Sequence, residues 1–340
     1  MLVAERPWGF DSLRPHLHGL REPRPEVPAH RLGAVGPIHA PLAEAALFNA
    51  VNFGVFLTPA AEGYPDLLRQ VEAAERGELD LVGIQDHPYQ RRFLDAFAVI
   101  PDLLARTERL RFFPAVANLP LRPPAMLAKV GASLDVMSGG RFELGIGAGA
   151  FWEGVEAMGG PRREPGESVE ALEEAIEILR VAWGGEESVT FEGTHYSVSG
   201  FKPGPPPAHA IGIWVGAYKP RMLRLTGRLA DGWFPSFGYA GPDAIPEMRR
   251  RLDEAAARAG REPSDVRRIY NLSGEITDGE ERGLLQGPPS HWVETLAGFT
   301  RELGFDDFVF GPGGDNPVRQ IELFAAEVVP GVRQALGGEA

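Results

Sequence analysis

The stretch GRFELGIGAGAFWEG, from Gly140 to Gly154, decides how this chain is read. Within it Gly145, Gly147 and Ala150 are spaced as G-x-G-x-x-A, one written form of the dinucleotide-binding fingerprint. In a dinucleotide-binding unit a helix opens inside the glycine motif and runs on, and the motif follows the first strand. Here the continuation is FWEGVEAMGGPRREPGES. Its Gly154, Gly159, Gly160, Pro161, Pro165 and Gly166 forbid a long helix. The motif also closes the fourth strand of a series, not the first. Two readings remain: a strand end whose glycines let the chain turn, or a strand end where a flat ring or phosphate approaches the backbone closely.

Working outward, short apolar runs alternate with helical periodicity. VNFGVFL from Val51 is a buried-strand signal, and Tyr64 to Arg76 carries Leu67, Leu68 and Val71 at helical spacing. LDLVGIQD, LRFFPAVAN and RFELGIG give strands two to four, with helices predicted over Phe93–Arg106 and Pro123–Met137. Ser168 to Trp183 places Val169, Leu172, Ile176 and Leu179 on one stripe with glutamates opposite. IGIWVGA, DGWFP, VRRIYNL and FDDFVFG complete the strands, and helices are predicted over Pro220–Ala230, Pro242–Ala259, His291–Leu303 and Pro317–Leu336. VRRIYNL is the weakest strand signal because it is polar.

Eight strands, each followed by a helix, predict an α/β fold of the TIM (β/α)8 barrel type, with active-site residues at the C-terminal strand ends. The barrel domain is expected over residues 47–340, with an insertion after the fourth strand at about 184–209. That insertion holds VTFEGTHYSV, a predicted hairpin turning at Glu192-Gly193, and the stiff KPGPPPAH. Residues 1–46, rich in Pro, Arg and His with little periodicity, are expected to be an extension that wraps a domain or pairs with a partner.

The chain has 340 residues, a net charge of −13 and no cysteine. The acidic balance argues against nucleic acid as a partner. Zero cysteine removes disulfides, thiolate metal sites and a cysteinyl nucleophile or flavin link. No run of about 18 apolar residues exists, and Glu5, Arg6 and Pro7 sit where a signal peptide needs its apolar stretch. A cytoplasmic location with no membrane partner is the expectation.

The blocks LDVMSGGRFELGIGAGAFWEGVEAMG, AVANLPLRPPAMLAK and IWVGAYKPRMLRLTGRLADGW together resemble the luciferase-like monooxygenase superfamily, over about Asn52 to Gln334. That resemblance implies a TIM barrel using FMN or the deazaflavin coenzyme F420, with the ring lying across the C-terminal strand ends. It implies a flavin-dependent monooxygenase using reduced FMN and oxygen on a small organic substrate, served by a separate flavin reductase. The alternative is an F420-dependent hydride-transfer oxidoreductase. A homodimer is expected.

Position by position, the resemblance places Phe56 near the ring and makes Asp86-His87 of QDHP the catalytic pair. A neutral imidazole relays a proton near pH 7, and an adjacent carboxylate sets its tautomer. The structural alternative is that Asp86 caps a turn and His87 packs beside Pro88. A non-prolyl cis peptide is implied at Ala115–Val116, supporting the central ring, with Asn118 at the pyrimidine edge. Strand four brings Gly147, Ala148, Gly149 and Trp152; the basic or hydroxyl residue that some relatives carry near Ala148 is missing. Gly216, Ala217, Tyr218 and Lys219 precede a helix whose N-terminus, with Arg221, suits a cofactor phosphate. Trp214, Trp233, Phe234, Phe237 and Phe310 are read as core or pocket wall, and His195 as exposed or reaching the substrate mouth.

Two other classes compete. A metal-dependent barrel hydrolase finds only His16-Leu17-His18, which precedes the first strand, so no metal site is expected. A non-catalytic barrel that binds a partner is the second.

Overall fold

In the computed structural model residues 51–337 are described, so the N-terminal extension and its His16 and His18 lie outside the described residues. The barrel strands are β1 (Asn52–Leu57), β2 (Leu81–Ile84), β3 (Arg111–Pro114) with β4 (Ala117–Asn118), β5 (Leu144–Gly147), β8 (Ile213–Val215), β9 (Gly232–Trp233), β10 (Arg267–Ile276) and β12 (Asp307–Pro312). All pair in parallel, in the order β3-β2-β1-β12-β10-β9-β8-β5-β4. Since β3 and β4 are two pieces of one strand, that order is a ring. A bridge from Phe112 to Phe142 completes it. Eight barrel strands result, as the alternation of runs predicts.

The helices are α1 (Tyr64–Arg76), α2 (Ala96–Arg106), α3 (Pro124–Ser138), α4 (Trp152–Ala157), α5 (Pro165–Trp183), α6 (Pro220–Leu229), α7 (Ile245–Arg258), α8 (Pro289–Gly298), α9 (Pro317–Leu323) and α10 (Val329–Ala335). Within the insertion, β6 (Val189–Glu192) and β7 (Ser197–Phe201) form an antiparallel hairpin. A two-residue strand segment, β11 (Gln286–Gly287), flanks β10.

Departures from the sequence reading have local causes. Helix α2 begins at Ala96, not Phe93, because the Asp95 side chain accepts from the N–H groups of Phe97 and Ala98. The hairpin turns over Gly193–Tyr196, one step beyond the predicted tip, because the Glu174 carboxylate of α5 accepts from the N–H groups of Thr194, His195 and Tyr196. The polar strand β10 is the longest, at 10 residues. Its arginines are paired instead of exposed: Arg267 with Asp307, and Arg268 with Asp253.

Two apolar layers follow from strand alternation. One face of the strands packs under the helices. The other fills the barrel with Leu81, Phe113, Ala115, Trp214, Phe234, Ile269 and Val309. The Phe113 ring stands edge-on to Trp214 at 4.8 Å and to Phe234 at 5.3 Å. Fully burying side chains of this size stabilises a fold by about 1.5–3 kcal/mol each. Gly145 is the closest fit on β5: a Cβ there would lie 2.2 Å from the Pro114 carbonyl oxygen.

Candidate active site

The filled interior ends upward in a floor at the C-terminal strand ends. Phe56 and Val116, both partly exposed, pack on the inner cluster from above. The Ala115–Val116 peptide is cis and separates β3 from β4. Val116 lies between two glycines. A Cβ on Gly147 would come within 2.9 Å of its Cγ2, and one on Gly216 within 3.6 Å. Phe56, Ala115, Val116, Gly147 and Gly216 are thus brought to the same end of the barrel interior. Asn118, on β4 beside it, is buried, and its Oδ1 has no hydrogen-bond partner among the described residues. An unpaired buried acceptor at these strand ends is suited to a donor from outside the described residues.

Strand β2 delivers Asp86 and His87 to this floor in different roles. Asp86 is 1% exposed. Its Oδ2 accepts from the Asn118 backbone N–H at 3.0 Å and from Arg122 Nε at 2.9 Å, and its Oδ1 accepts from Arg122 Nη2 at 2.6 Å. Arg122 also reaches Asp95 at 2.8 Å. The expectation that Asp86 sets the tautomer of His87 is therefore corrected. Its oxygens face the guanidinium, and no hydrogen bond joins it to the imidazole among the described residues. Asp86 is a positioning residue that ties β2 to β4.

His87 is half-buried in a ring group, 5.4 Å from Tyr89 and 5.3 Å from Phe151, with those two 5.8 Å apart. Burial holds the imidazole below its ordinary value of 6.5, and the Asp86 charge opposes this only in part. A neutral ring whose nitrogens have no hydrogen-bond partner among the described residues can accept or return a proton near pH 7. Burial, with the Asp86 charge and the Tyr239 phenol, pushes the Tyr89 hydroxyl up to about 12, so it stays a donor.

The remaining predicted positions divide. Ala148 and Gly149 follow Gly147 on the rim, and Gly149 has a φ of +107°. A Cβ on Gly149 would meet Pro120 at 2.6 Å and the Trp152 ring at 2.8 Å, so that glycine is required by both conformation and space. Trp152 opens α4 and covers it. The Ala217 side chain is fully buried, and its carbonyl accepts from Trp233 Nε1 at 2.9 Å. Tyr218 accepts from the Ser236 N–H at 3.0 Å through its hydroxyl, and its ring lies tilted against Tyr239 at 5.5 Å. Lys219, exposed, precedes α6, whose N-terminus has no side-chain cap. Arg221 pairs with Glu170 at 2.7 Å.

Trp214 and Phe234 fill the barrel, while Trp233 and Phe310 belong to the layer under the helices. His195 does not reach the mouth; it lies against Glu170 of α5 at 3.3 Å. A cavity of about 380 Å³ opens elsewhere, on the outer surface between α5, α6 and α7, among Arg221, Arg224 and Arg228. Its position on the helices, away from His87 and the strand ends, separates it from the chemistry. Among the described residues, no group of three or more His, Cys, Asp or Glu is placed to hold a metal ion. No helix among them is long and apolar enough to cross a membrane.

Three residues of the site escape the sequence reading: Arg122, Tyr89 and Phe151. Arg122 had a signal, since a lone cation in LPLRPP between apolar and proline residues needs a buried counter-charge. Tyr89 stands two residues after His87 in the same loop. Phe151 offered only a large ring beside Trp152 after a run of small residues.

Comparisons with known proteins bear on the family and the fold. A family model described as luciferase-like monooxygenase matches residues 48–282. An uncharacterised protein of Mycobacterium tuberculosis is 29% identical over 294 residues, covering 86% of this chain and 94% of the relative. An F420-dependent glucose-6-phosphate dehydrogenase of Intrasporangium calvum is 27% identical over 321 residues, covering 80% and 96%. Among solved structures, an F420-dependent secondary alcohol dehydrogenase in complex with an F420-acetone adduct superposes with a TM-score of 0.75 at 19% identity, covering 84% of this chain and 99% of that one. At that identity the likeness carries the fold alone.

Proposed function

This chain belongs to the luciferase-like monooxygenase family, and from that premise we propose that it is an F420-dependent oxidoreductase acting on a hydroxyl- or carbonyl-bearing carbon. The observation that carries the choice is the named activity of the curated relative matched over 96% of its length, which is F420-dependent. Further relatives bearing that same name support it. The reading replaces the FMN monooxygenase as the favoured activity, and with it the need for a separate flavin reductase.

The site fits such a ring. Phe56, Ala115, Val116, Gly147 and Gly216 stand at the C-terminal strand ends, where small and apolar groups suit an aromatic ring. The orphaned Asn118 Oδ1 is suited to a ring N–H, a group the pyrimidine edge presents. The uncapped start of α6 beside Lys219 is suited to the phosphate. When bound, the deazaflavin supplies a two-electron acceptor or donor of hydride. His87 does the proton work: its neutral imidazole accepts the hydroxyl proton as an alcohol is oxidised and returns it in the reverse direction. The Asp86–Arg122 pair holds β2 against β4, fixing where His87 stands. The ring group around His87 limits water at the reacting carbon.

The test is a side-by-side titration of the purified chain with FMN and F420, followed by turnover with an alcohol in sealed and in air-equilibrated cuvettes. Tighter F420 binding and alcohol-dependent cofactor reduction without oxygen uptake are expected. Tighter FMN binding with oxygen consumption overturns the proposal.

A further inference from the structure

Strand β10 carries a buried amide that the chemistry at His87 does not use. Side chains two apart on a strand share a face, so Asn271 faces the same way as Ile269, which fills the barrel interior. Its register partner on β12 is Val309, another residue of that interior. Asn271 therefore stands one layer above Ile269, towards the C-terminal strand ends. It is 9% exposed. Its Nδ2 donates to the Ser236 hydroxyl at 3.0 Å, while its Oδ1 has no hydrogen-bond partner among the described residues. The backbone holds this pair in place. The Asn271 N–H donates to the Pro235 carbonyl at 3.0 Å, and the Asn271 carbonyl accepts from the Phe237 N–H at 2.8 Å. An acceptor left unpaired in a buried position weakens a fold, and an apolar side chain of similar size avoids that cost.

The pair offers complementary groups. The Ser236 oxygen accepts from Nδ2, so its O–H proton remains to be donated, and Asn271 Oδ1 remains to accept. A hydroxyl matches both, because it donates to one and accepts from the other. A carbonyl or ether oxygen leaves Oδ1 unpaired, and an anionic group sets its charge against that oxygen. The position suits a ligand at the mouth. Two residues further along β10, Ser273 is exposed. A Cβ on Gly311 would lie 2.8 Å from Ser273 Oγ and 3.7 Å from Phe56 Cδ1, so this polar face opens beside Phe56. In the ring of strands, β1 and β12 separate β10 from β2, which puts Asn271 across the barrel from His87. A group held at Asn271 is remote from the carbon that reacts beside His87.

We propose that Asn271, with Ser236, is a specificity-determining subsite that binds a second, non-reacting hydroxyl of the substrate. Oδ1 accepts that hydroxyl's proton in a hydrogen bond, and Ser236 donates to its oxygen. The inference rests on the hydride-transfer reading for the place of the reacting carbon beside His87. A site built to pair a hydroxyl rejects the analogue that lacks it, because its own buried group is then left unpaired.

The experiment measures binding by calorimetry on the full chain, with and without F420. The probes are cyclohexanol and each of the cyclohexanediol isomers, which differ from it by one hydroxyl. At least one diol is expected to bind the loaded chain about ten-fold or more tighter than cyclohexanol, a difference of about 1.4 kcal/mol. In Asn271→Leu that advantage should shrink to about two-fold or less, while the F420 Kd moves less than about two-fold. The thermal midpoint of this variant should stay within about 4 °C of the parent or rise, since a buried orphan is removed; a residue kept for structure would lower it instead. Ser236→Ala, at a partly exposed position, should cut the diol advantage by about three-fold or more. If no diol binds tighter than cyclohexanol, the amide holds only an ordered water and the inference is overturned. An undiminished diol advantage in Asn271→Leu overturns it too. Should Asn271→Leu fail to fold, an undiminished advantage in Ser236→Ala does the same. Failure of F420 to bind while a diol still binds the cofactor-free chain in an Asn271-dependent way sinks the cofactor reading alone.

Discussion

Replacing Arg122 by Met tests the assignment of Asp86 to structure instead of chemistry. The change removes both nitrogens that face the Asp86 carboxylate at 2.9 and 2.6 Å. The carboxylate, 1% exposed, is left with the Asn118 N–H alone. Removing one partner of a buried pair costs about 3–5 kcal/mol, because the other charge stays buried and uncompensated. Two smaller contributions go with it. The guanidinium lies 4.2 Å from the centroid of the Phe97 ring, a contact worth about 0.5–2 kcal/mol. The arm to Asp95, whose side chain is 43% exposed, adds only about 0–1 kcal/mol. The Met stem keeps part of the Phe97 contact, so the expected total stays near 3–5 kcal/mol. Against a domain stability of about 5–15 kcal/mol this is a large fraction. The thermal midpoint should fall by roughly 6–20 °C, taking about 2–4 °C per kcal/mol. The assay is equilibrium urea unfolding followed by tryptophan fluorescence on Arg122→Met, Asp86→Leu and the double variant. The double should be more stable than the sum of the singles by about 1–3 kcal/mol, since no unpaired charge remains. A single-variant cost under about 1 kcal/mol, or strict additivity, refutes the reasoning.

His87→Ala should lower kcat by about 10²–10⁴-fold with little change in F420 affinity, read by turnover and titration on one preparation. Since burial holds that imidazole below 6.5, the midpoint of the acid-side decline in alcohol oxidation should fall below pH 6.5, as the ring gains a proton and can no longer accept one. At the barrel base, His209 donates to Asp135 at 2.7 Å and lies 3.4 Å from Glu143, which also pairs with Arg111 at 3.3 Å. Burial alone would lower its pKa, but the Asp135 and Glu143 carboxylates outweigh burial and push it up to about 10. Folding therefore takes up a proton there: the stabilisation is complete below pH 6.5 and is lost as pH rises through about 10. His209→Gln should cost about 1.5–3 kcal/mol at the acid end of that window and flatten the decline across it, as urea midpoints against pH would reveal. Gly149→Ala places a methyl 2.6 Å from Pro120 at a φ of +107° and should cost about 1–3 kcal/mol while weakening cofactor binding. Unchanged stability would mean that the loop relaxes freely.

The sequence by itself determined the barrel. Strands covered on both faces must be short and apolar throughout, and LVGI at Leu81–Ile84 or IWV at Ile213–Val215 is buried at every position. Local glycine and proline chemistry also excluded a dinucleotide loop, and α4 ends after 6 residues as the glycines downstream require. The loops were legible in outline, because active sites of barrels are built at C-terminal strand ends, and that alone singled out QDHP and the GIGAG segment.

Only the tertiary structure decided which member of Asp86-His87 faces the mouth. The two follow β2 in irregular backbone, and the partner of Asp86 is Arg122, 36 residues away. No spacing rule announces an ion pair across two strand ends. The same limit hid Phe151 and Tyr89, whose rings meet across 62 residues only because β2 and β5 both end at the same rim. Ala217 reads like its neighbour Gly216 in the sequence, yet its methyl is sealed under the helices while Gly216 opens on the floor. Periodicity reports which residues leave water, because burial repeats with the backbone. Which of the buried and half-buried groups meet is settled by barrel closure, a long-range property that no local pattern records.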